Sequence, residues 1–345
     1  MKVRSILAWA VVALGGMAVA AAPAGAQGPF QVEHVWKVGG DGGWDYMSVD
    51  PRSKLLYITR GDHVIVFSTT EGKQVAEIPG LHGIHCVVFS SDGVHGYITD
   101  GGANEVAVFD RKTEKIVDRI AVGNHPDGEV FEPVTKTVWA FDGGSHDATV
   151  IDTKTNQVVA TIPLPGRPEF PVADGRGHVF DNIESTSELV RLDAKTLKLT
   201  GTFPLAPCRS PSGLAIDRAH RRLFSVCDNQ TMAVVDADSG KVVTTLAIGD
   251  GPDASRFAAN GDYVFSPNGG SGTLTVAHED SPDHYSIVQT LTTKLGARTM
   301  AIDPDGRHLY TVTADFGPPP APGAGRGHRW RPVVPGTFEI IDVGR

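Results

Sequence analysis

The sequence predicts an all-β protein, a seven-bladed β-propeller closed by the N-terminal strand completing the last blade. Three observations carry that expectation. A segment pattern recurs about every 42 residues, apolar and polar residues alternate with period 2 inside each segment, and 40 of the 345 residues are glycine. A repeat of that length, made of short alternating runs between turn residues, is the sequence signature of a four-stranded propeller blade. No stretch keeps a 3.6-residue apolar period, so helices are expected to be nearly absent.

The elements of each repeat follow in order. The first strand ends in an apolar residue before a turn: Val49-Asp50-Pro51, Phe89-Ser90-Ser91, Phe131-Glu132-Pro133 and Val172-Ala173-Asp174, then Ile216-Asp217-Arg218, Phe257-Ala258-Ala259 and Ile302-Asp303-Pro304. The steps between these ends are 40, 42, 41, 44, 41 and 45 residues. A second strand follows at Tyr57-Ile58, Tyr97-Ile98, Val138-Trp139, Val179-Phe180, Leu223-Phe224, Tyr263-Val264 and Leu309-Tyr310. The third strand often ends in Asp, as at Asp110, Asp152, Asp193 and Asp236, with Thr113, Thr155, Thr196 or Ser239 three residues on. Such an Asp accepts hydrogen bonds from the backbone N–H groups of the turn it opens. A fourth alternating run, such as Lys115 to Val122 or Lys241 to Ile248, completes the unit. One such unit cannot bury both of its faces, whereas seven in a ring bury each against its neighbours.

The seventh unit stops after its third strand, because Asp342 is followed only by Val343-Gly344-Arg345. Residues 30–38, with Gly39 trailing them, match the pattern of Lys115 to Gly123 and are expected to supply the missing strand. Ahead of them, Lys2 and Arg4, an apolar run from Ile6 to Ala22, and Ala24-Gly25-Ala26 have the order of a secretory signal peptide over residues 1–26. Residues 27–345 then form a single propeller domain, periplasmic or secreted, with no later membrane span. Cys86, Cys208 and Cys227 are an odd number for an oxidising compartment. Cys208 and Cys227 fall near each other in the repeat scheme, either as a disulfide or as two thiols; Cys86 reads as a small buried residue.

The residues Tyr57-Ile58-Thr59-Arg60, Tyr97-Ile98-Thr99-Asp100 and Tyr310-Thr311-Val312 resemble the Tyr-Val-Thr-Asn motif of the YVTN-repeat, YncE-like propellers. Gly123-x-x-Pro126-x-Gly128 and the Asp-x-x-Thr-x-Lys elements at Asp110–Lys115 and Asp193–Lys198 are similar to that family as well. The resemblance spans Phe30 to Arg345 and implies the propeller fold and an exported protein. The motif's final Asn is replaced by Arg60 and Asp100, so no role tied to that Asn carries over.

Net charge bounds the partners. Lys plus Arg number 31 against 40 Asp plus Glu, a charge of −9, which becomes −11 once Lys2 and Arg4 are removed. Nucleic acid and anionic membranes both require a basic surface, so neither is an expected partner. A monomer that binds a small molecule, a divalent metal ion or a protein partner is expected instead. In this architecture the turns entering each first strand share one face with those between second and third strands. Residues there are candidates for ligand binding at the central channel: Asp45, His85, His125, Asp127, Glu169, Arg209, Asp253 and Arg298. Converging carboxylates raise one another's pKa or recruit a cation, which singles out Asp45, Glu169 and Asp253 as metal ligands. His85 and His125 are the candidate general bases of a metal-assisted, lactonase-like hydrolase or lyase, the alternative to a binding scaffold. Polar turns are also simply wet, and no nucleophile elbow, phosphate loop or dinucleotide fingerprint is present.

One interruption breaks the last repeat. Residues 316–336 are rich in Pro and Gly and carry Arg326, Arg329, Trp330 and Arg331. Such a segment does not pack as a strand. It reads either as a lid or docking arm over the channel, with Trp330 as its contact, or as a tolerated surface insertion.

Overall fold

The computed structural model describes residues 28–318 and 331–345. Among the described residues the regular elements are all strands, no helix occurs, and none is therefore long and apolar enough to cross a membrane. The expected signal peptide (1–26) and the centre of the insertion, including Trp330, lie outside the described residues.

Period-2 alternation dictates how the strands are used. Thr137–Asp142, rich in aromatic and β-branched residues, is buried along its whole length and sits inside its sheet. It pairs antiparallel with Pro126–Glu132 on one side and Asp147–Asp152 on the other, while the more polar Gln157–Pro163 takes the outer edge. This four-stranded arrangement occurs as five separate sheets, and a sixth sheet has seven strands. The seven-stranded sheet departs from expectation, because one strand, Lys73–Phe89, serves both of the first two repeats. Its first half pairs with Gly61–Ser68 and its second with His95–Asp100. Gly61 also pairs with Ile84, so the ladder crosses the repeat boundary without a break. Gly80 and Gly83, at φ of 82° and 70°, bend the chain between the halves, a conformation that favours glycine.

The repeat motifs have identifiable jobs. Asp110 Oδ1 accepts the N–H groups of Lys112 and Thr113 and the Thr113 hydroxyl, and Asp152 and Asp193 do the same one and two repeats on. Those bonds from Thr113 and Thr196 hold the Asp110 and Asp193 carboxyls below their ordinary pKa. In Tyr-Ile-Thr, the tyrosine reaches outward to the following repeat. Tyr57 Oη donates to Glu114 at 2.7 Å and Tyr97 Oη to Asn156 at 3.0 Å. The threonine reaches inward: Thr99 Oγ1 donates to the carbonyl of Asp127 at 2.7 Å, and Thr59 Oγ1 to those of Tyr46 and His85. Each motif thus ties one repeat to the next at both ends of a buried strand. Arg60, in the motif's last place, donates to the carbonyls of Asp41 and Gly43 and lies 3.7 Å above the Phe338 ring, pinning the N-terminal linker.

The two chain ends meet as expected. Gln31–Lys37 pairs antiparallel with Glu339–Gly344, from Gln31 opposite Gly344 to Lys37 opposite Glu339, and completes a four-stranded sheet with His308–Thr313 and Met300–Ile302. Apolar clusters lie between sheets. One joins Trp44, Met47, Leu56 and Ile58 near the N-terminus to Tyr310, Val312, Phe338 and Ile340 near the C-terminus. Burying such side chains stabilises the fold by about 1.5–3 kcal/mol each, so this cluster resists separation of the chain ends. Cys208 and Cys227 form a disulfide with Cα atoms 5.7 Å apart, and Cys86 is a buried free thiol. The described base of the insertion is a narrow stem in which Phe316 bridges to Val333 and packs on Trp44.

Candidate functional site

The candidate site, at the mouth of the expected channel, is built by one position repeated along the chain. Asp45, His85, Asp127 and Glu169 enter successive first strands at steps of 40, 42 and 42 residues, with Ser212, Asp253 and Arg298 following. The carbonyls of His85 and Asp127 are held by the Thr59 and Thr99 contacts described above, and that of Asp45 by Thr299 Oγ1, which donates to it at 2.8 Å. A recurring sequence position therefore becomes a ring of side chains converging on one space.

Within that ring Asp45, His85 and Asp127 come together most closely. His85 Nδ1 lies 2.6 Å from Asp45 Oδ2 and 3.6 Å from Asp127 Oδ1. Donor atoms of all three residues fall within 4.8 Å of one another. The other ring nitrogen, His85 Nε2, is buried and has no hydrogen-bond partner among the described residues. The His125 ring stands edge-on to His85, with centroids 5.1 Å apart, although His125 itself is exposed. Close approach to the imidazole is possible because position 101 is glycine: a Cβ there would lie 2.9 Å from His85 Nε2.

The remaining carboxylates have guanidinium partners. Arg298 Nε donates to Asp253 at 2.7 Å, its Nη2 donates to the Trp44 carbonyl, and it also lies 3.8 Å from Asp45 Oδ1. Arg167 is held between Glu169 at 3.2 Å and Glu184 at 3.1 Å. Beneath them Tyr46 packs on Phe170 with ring centroids 4.6 Å apart.

Crowding of charge in a low-dielectric mouth moves the protonation equilibria. Burial, reinforced by the Asp45 and Asp253 charges against the pull of His85 and Arg167, pushes Asp127 up to about 7. Burial likewise lifts Asp253 to about 6, with Arg298 opposing and Asp45 adding. Glu169 is driven well above the usual carboxylate range by burial and by Asp127 and Asp253. For His85 burial acts downward, but the Asp45 hydrogen bond and the Asp127 and Asp45 charges win and raise it to about 9. Titrating groups near neutrality, packed against a cation-type ligand set, are what acid–base or metal chemistry requires.

Of the sequence candidates, Asp45, His85, Asp127, Glu169, Asp253 and Arg298 converge, with His125 at the edge. Arg209 does not. It is exposed, followed by Ser210 at a φ of 49°, and the turn carries its side chain outward; Ser212 takes the ring position of that repeat. The metal-ligand grouping also differs from the expected Asp45, Glu169 and Asp253, because Arg167 and Arg298 already occupy the latter two. Sequence reasoning passed over Tyr46 and Arg167 as site residues. Arg167 was legible two positions before Glu169, on the same side of an alternating strand.

No protein-family model matches the chain, and no curated protein matches it. Solved structures do. The RRP9 WD40-repeat structure is 14% identical, covers 92% of this chain and 99% of its own, and superposes with a TM-score of 0.75. The U3-55K structure is 13% identical, with coverage of 90% and 98% and a TM-score of 0.74. The Kuenenia stuttgartiensis hydrazine synthase structure is 17% identical, with coverage of 78% and 92% and a TM-score of 0.68. At these identities the likeness is one of fold, and the fold is a β-propeller.

Proposed function

We propose that this chain is an exported, monomeric binding propeller of the YVTN-repeat, YncE-like type, which holds a divalent metal ion or small cationic ligand at its channel mouth. In this reading the five four-stranded sheets are five blades. The seven-stranded sheet is two more, sharing Lys73–Phe89, so that seven blades close where Gln31–Lys37 joins the last sheet. The observation that carries the binding assignment is the convergence of Asp45, His85 and Asp127 from three consecutive repeats, with one donor atom from each within 4.8 Å of the others. Mixed oxygen and nitrogen donors suit Zn²⁺ or Mn²⁺ better than Mg²⁺. Glu169 and Asp253, each with its arginine, give the mouth polar walls that orient a ligand.

The test is elemental analysis of the purified protein, then calorimetric titration of chelator-treated protein with Zn²⁺ and Mn²⁺. Binding that Asp45→Asn and Asp127→Asn weaken at least tenfold is the expected result. Affinity unchanged in both variants, or no binding at millimolar ion, overturns the assignment. A second reading, metal-assisted hydrolysis or elimination of a lactone-type substrate, draws support from Asp127, whose pKa of about 7 lets it trade a proton at neutral pH. Turnover of a lactone panel that disappears in Asp127→Asn separates this reading from pure binding.

A further inference from the structure

A second group of ligand-type side chains lies on the seam that joins the two chain ends. In the antiparallel ladder there, His34 is opposite Asp342, Asp342 is opposite Tyr310, and His308 is opposite Gly344. Cross-strand partners and their i±2 neighbours share a face, so His34, His308 and Asp342 project to the same side. The ladder shifts between Val32 and His34, which leaves Glu33 as the extra residue of a bulge, free to join that side. Its carboxylate lies directly over Gly344.

The distances match a coordination sphere. His308 Nδ1 is 3.0 Å from Asp342 Oδ1 and 3.8 Å from Glu33 Oε2, and one donor atom from each of the three lies within 4.8 Å of the others. Ligand atoms about 2.0–2.2 Å from one tetrahedral ion stand about 3.3–3.6 Å apart, and the two His308 distances lie within about 0.3 Å of that range. The other oxygen of Asp342 is held by His34 Nδ1 at 3.1 Å, and the Asp342 side chain is only 4% exposed. A cavity of about 320 Å³ opens beside the group, lined by His34, His308, Tyr310, Asp303, Asp305 and Asp342 among others, and admits an ion and its remaining water ligands.

We propose that Glu33, His308 and Asp342 form a binding site for a first-row transition-metal ion of the Zn²⁺ or Co²⁺ class, with His34 positioning the Asp342 carboxylate. The imidazole selects against Mg²⁺ and Ca²⁺, which prefer all-oxygen shells. Glu33 comes from the N-terminal strand and the other two ligands from C-terminal strands, so an ion here clips the seam and ties metal binding to the stability of closure.

The test uses chelator-treated protein carrying Asp45→Asn and His85→Asn, which removes the channel-mouth donors. Titration with Co²⁺ and Zn²⁺ alone is followed by Co²⁺ absorption and by melting. The expected results are visible Co²⁺ bands of a four- or five-coordinate N/O site and a rise in Tm of roughly 2–6 °C with excess Zn²⁺. Both are lost, with affinity down at least tenfold, in Glu33→Gln or His308→Gln. His34→Gln keeps the Co²⁺ spectrum while weakening affinity about tenfold, as for a residue that orients a ligand. Absence of Co²⁺ bands and of any Tm rise overturns the proposal, and so does equal affinity in Glu33→Gln and His308→Gln. Should the channel-mouth variant not fold, the same titration compares the native chain with Glu33→Gln, and an unchanged number of bound ions overturns it.

Discussion

Replacing His85 by Asn should remove a specific part of the protein's pH-dependent stability. The imidazole stands between Asp45 and Asp127, and its folded-state pKa is raised from 6.5 to about 9. A raised basic group stabilises the folded state fully below its unfolded pKa. Between pH 6.5 and about 9 the folded chain keeps a proton that the unfolded chain releases, and above that window the contribution is gone. At 1.36 kcal/mol per decade the window is worth roughly 3 kcal/mol, and solvent contact with a fifth of the imidazole trims this to about 2 kcal/mol. Asp127, raised to about 7, acts in the same direction, because the folded chain also holds its proton where the unfolded chain has lost it. The assay is equilibrium urea unfolding of native and His85→Asn protein below pH 6.5 and above pH 9, with EDTA present to exclude metal ions. The native chain should lose stability as pH rises, and its advantage over His85→Asn should shrink by about 2 kcal/mol across the window. Parallel stability curves for the two proteins would refute the linkage between His85 and its carboxylates.

Three further outcomes follow from the geometry. Gly101→Ala places a Cβ 2.9 Å from His85 Nε2 and 3.0 Å from the Gly83 carbonyl, and should cost about 1–3 kcal/mol in the same urea assay; a loss under 0.5 kcal/mol, roughly the scatter of a neutral surface change, contradicts the packing. Deleting residues 30–38 removes the closing strand together with Phe30, whose ring packs edge-on against Tyr263 and Phe265 at 5.2 and 5.1 Å, and should lower Tm by roughly 10 °C or more; an unchanged melt counts against closure. Thiol titration of denatured, unreduced protein should find only Cys86, and the Cys208→Ser, Cys227→Ser double variant should lose about 3 kcal/mol, as expected for a crosslink across 19 residues; three titratable thiols would exclude the bridge.

Strand identity was legible because local chemistry and long-range use agree. Asp110, Asp152 and Asp193 close the same hydrogen-bonded turn in successive repeats, and the alternation on either side leaves one register that buries the apolar set. The pairing of the chain ends was legible for the same reason: the last repeat lacked a strand, and a strand of matching pattern stood unassigned at the other end. The continuous strand Lys73–Phe89 was not, since Gly80 and Gly83 read equally well as a loop and only the pairing of Gly61 with Ile84 decides. At the site, sequence located the ring but not its partnerships. Arg209 looked equivalent to Arg298 in the turn that carries it, yet it stands three residues before Ser212, which holds in its repeat the ring position that Arg298 holds in its own. Tyr46 was passed over because alternation next to Asp45 suggests burial between sheets, whereas its ring lies beneath the charged mouth against Phe170.

Those partnerships decide which part of the mouth can do chemistry. Glu169 and Asp253 are paired with Arg167 and Arg298, and a guanidinium does not lose its proton in a protein, so the cation of each pair stays in place while only its carboxylate can titrate. Asp45 and Asp127 share one imidazolium instead, whose proton can leave. When it does, the freed Nδ1 and two carboxylates become a dianionic donor set in a low-dielectric pocket, a state of high energy unless a cation or a substrate proton takes the vacated charge. The identity of one residue per repeat, histidine at position 85 against arginine at 167 and 298, thus separates the part of the ring that holds the mouth in shape from the part that is poised to exchange a proton for a ligand.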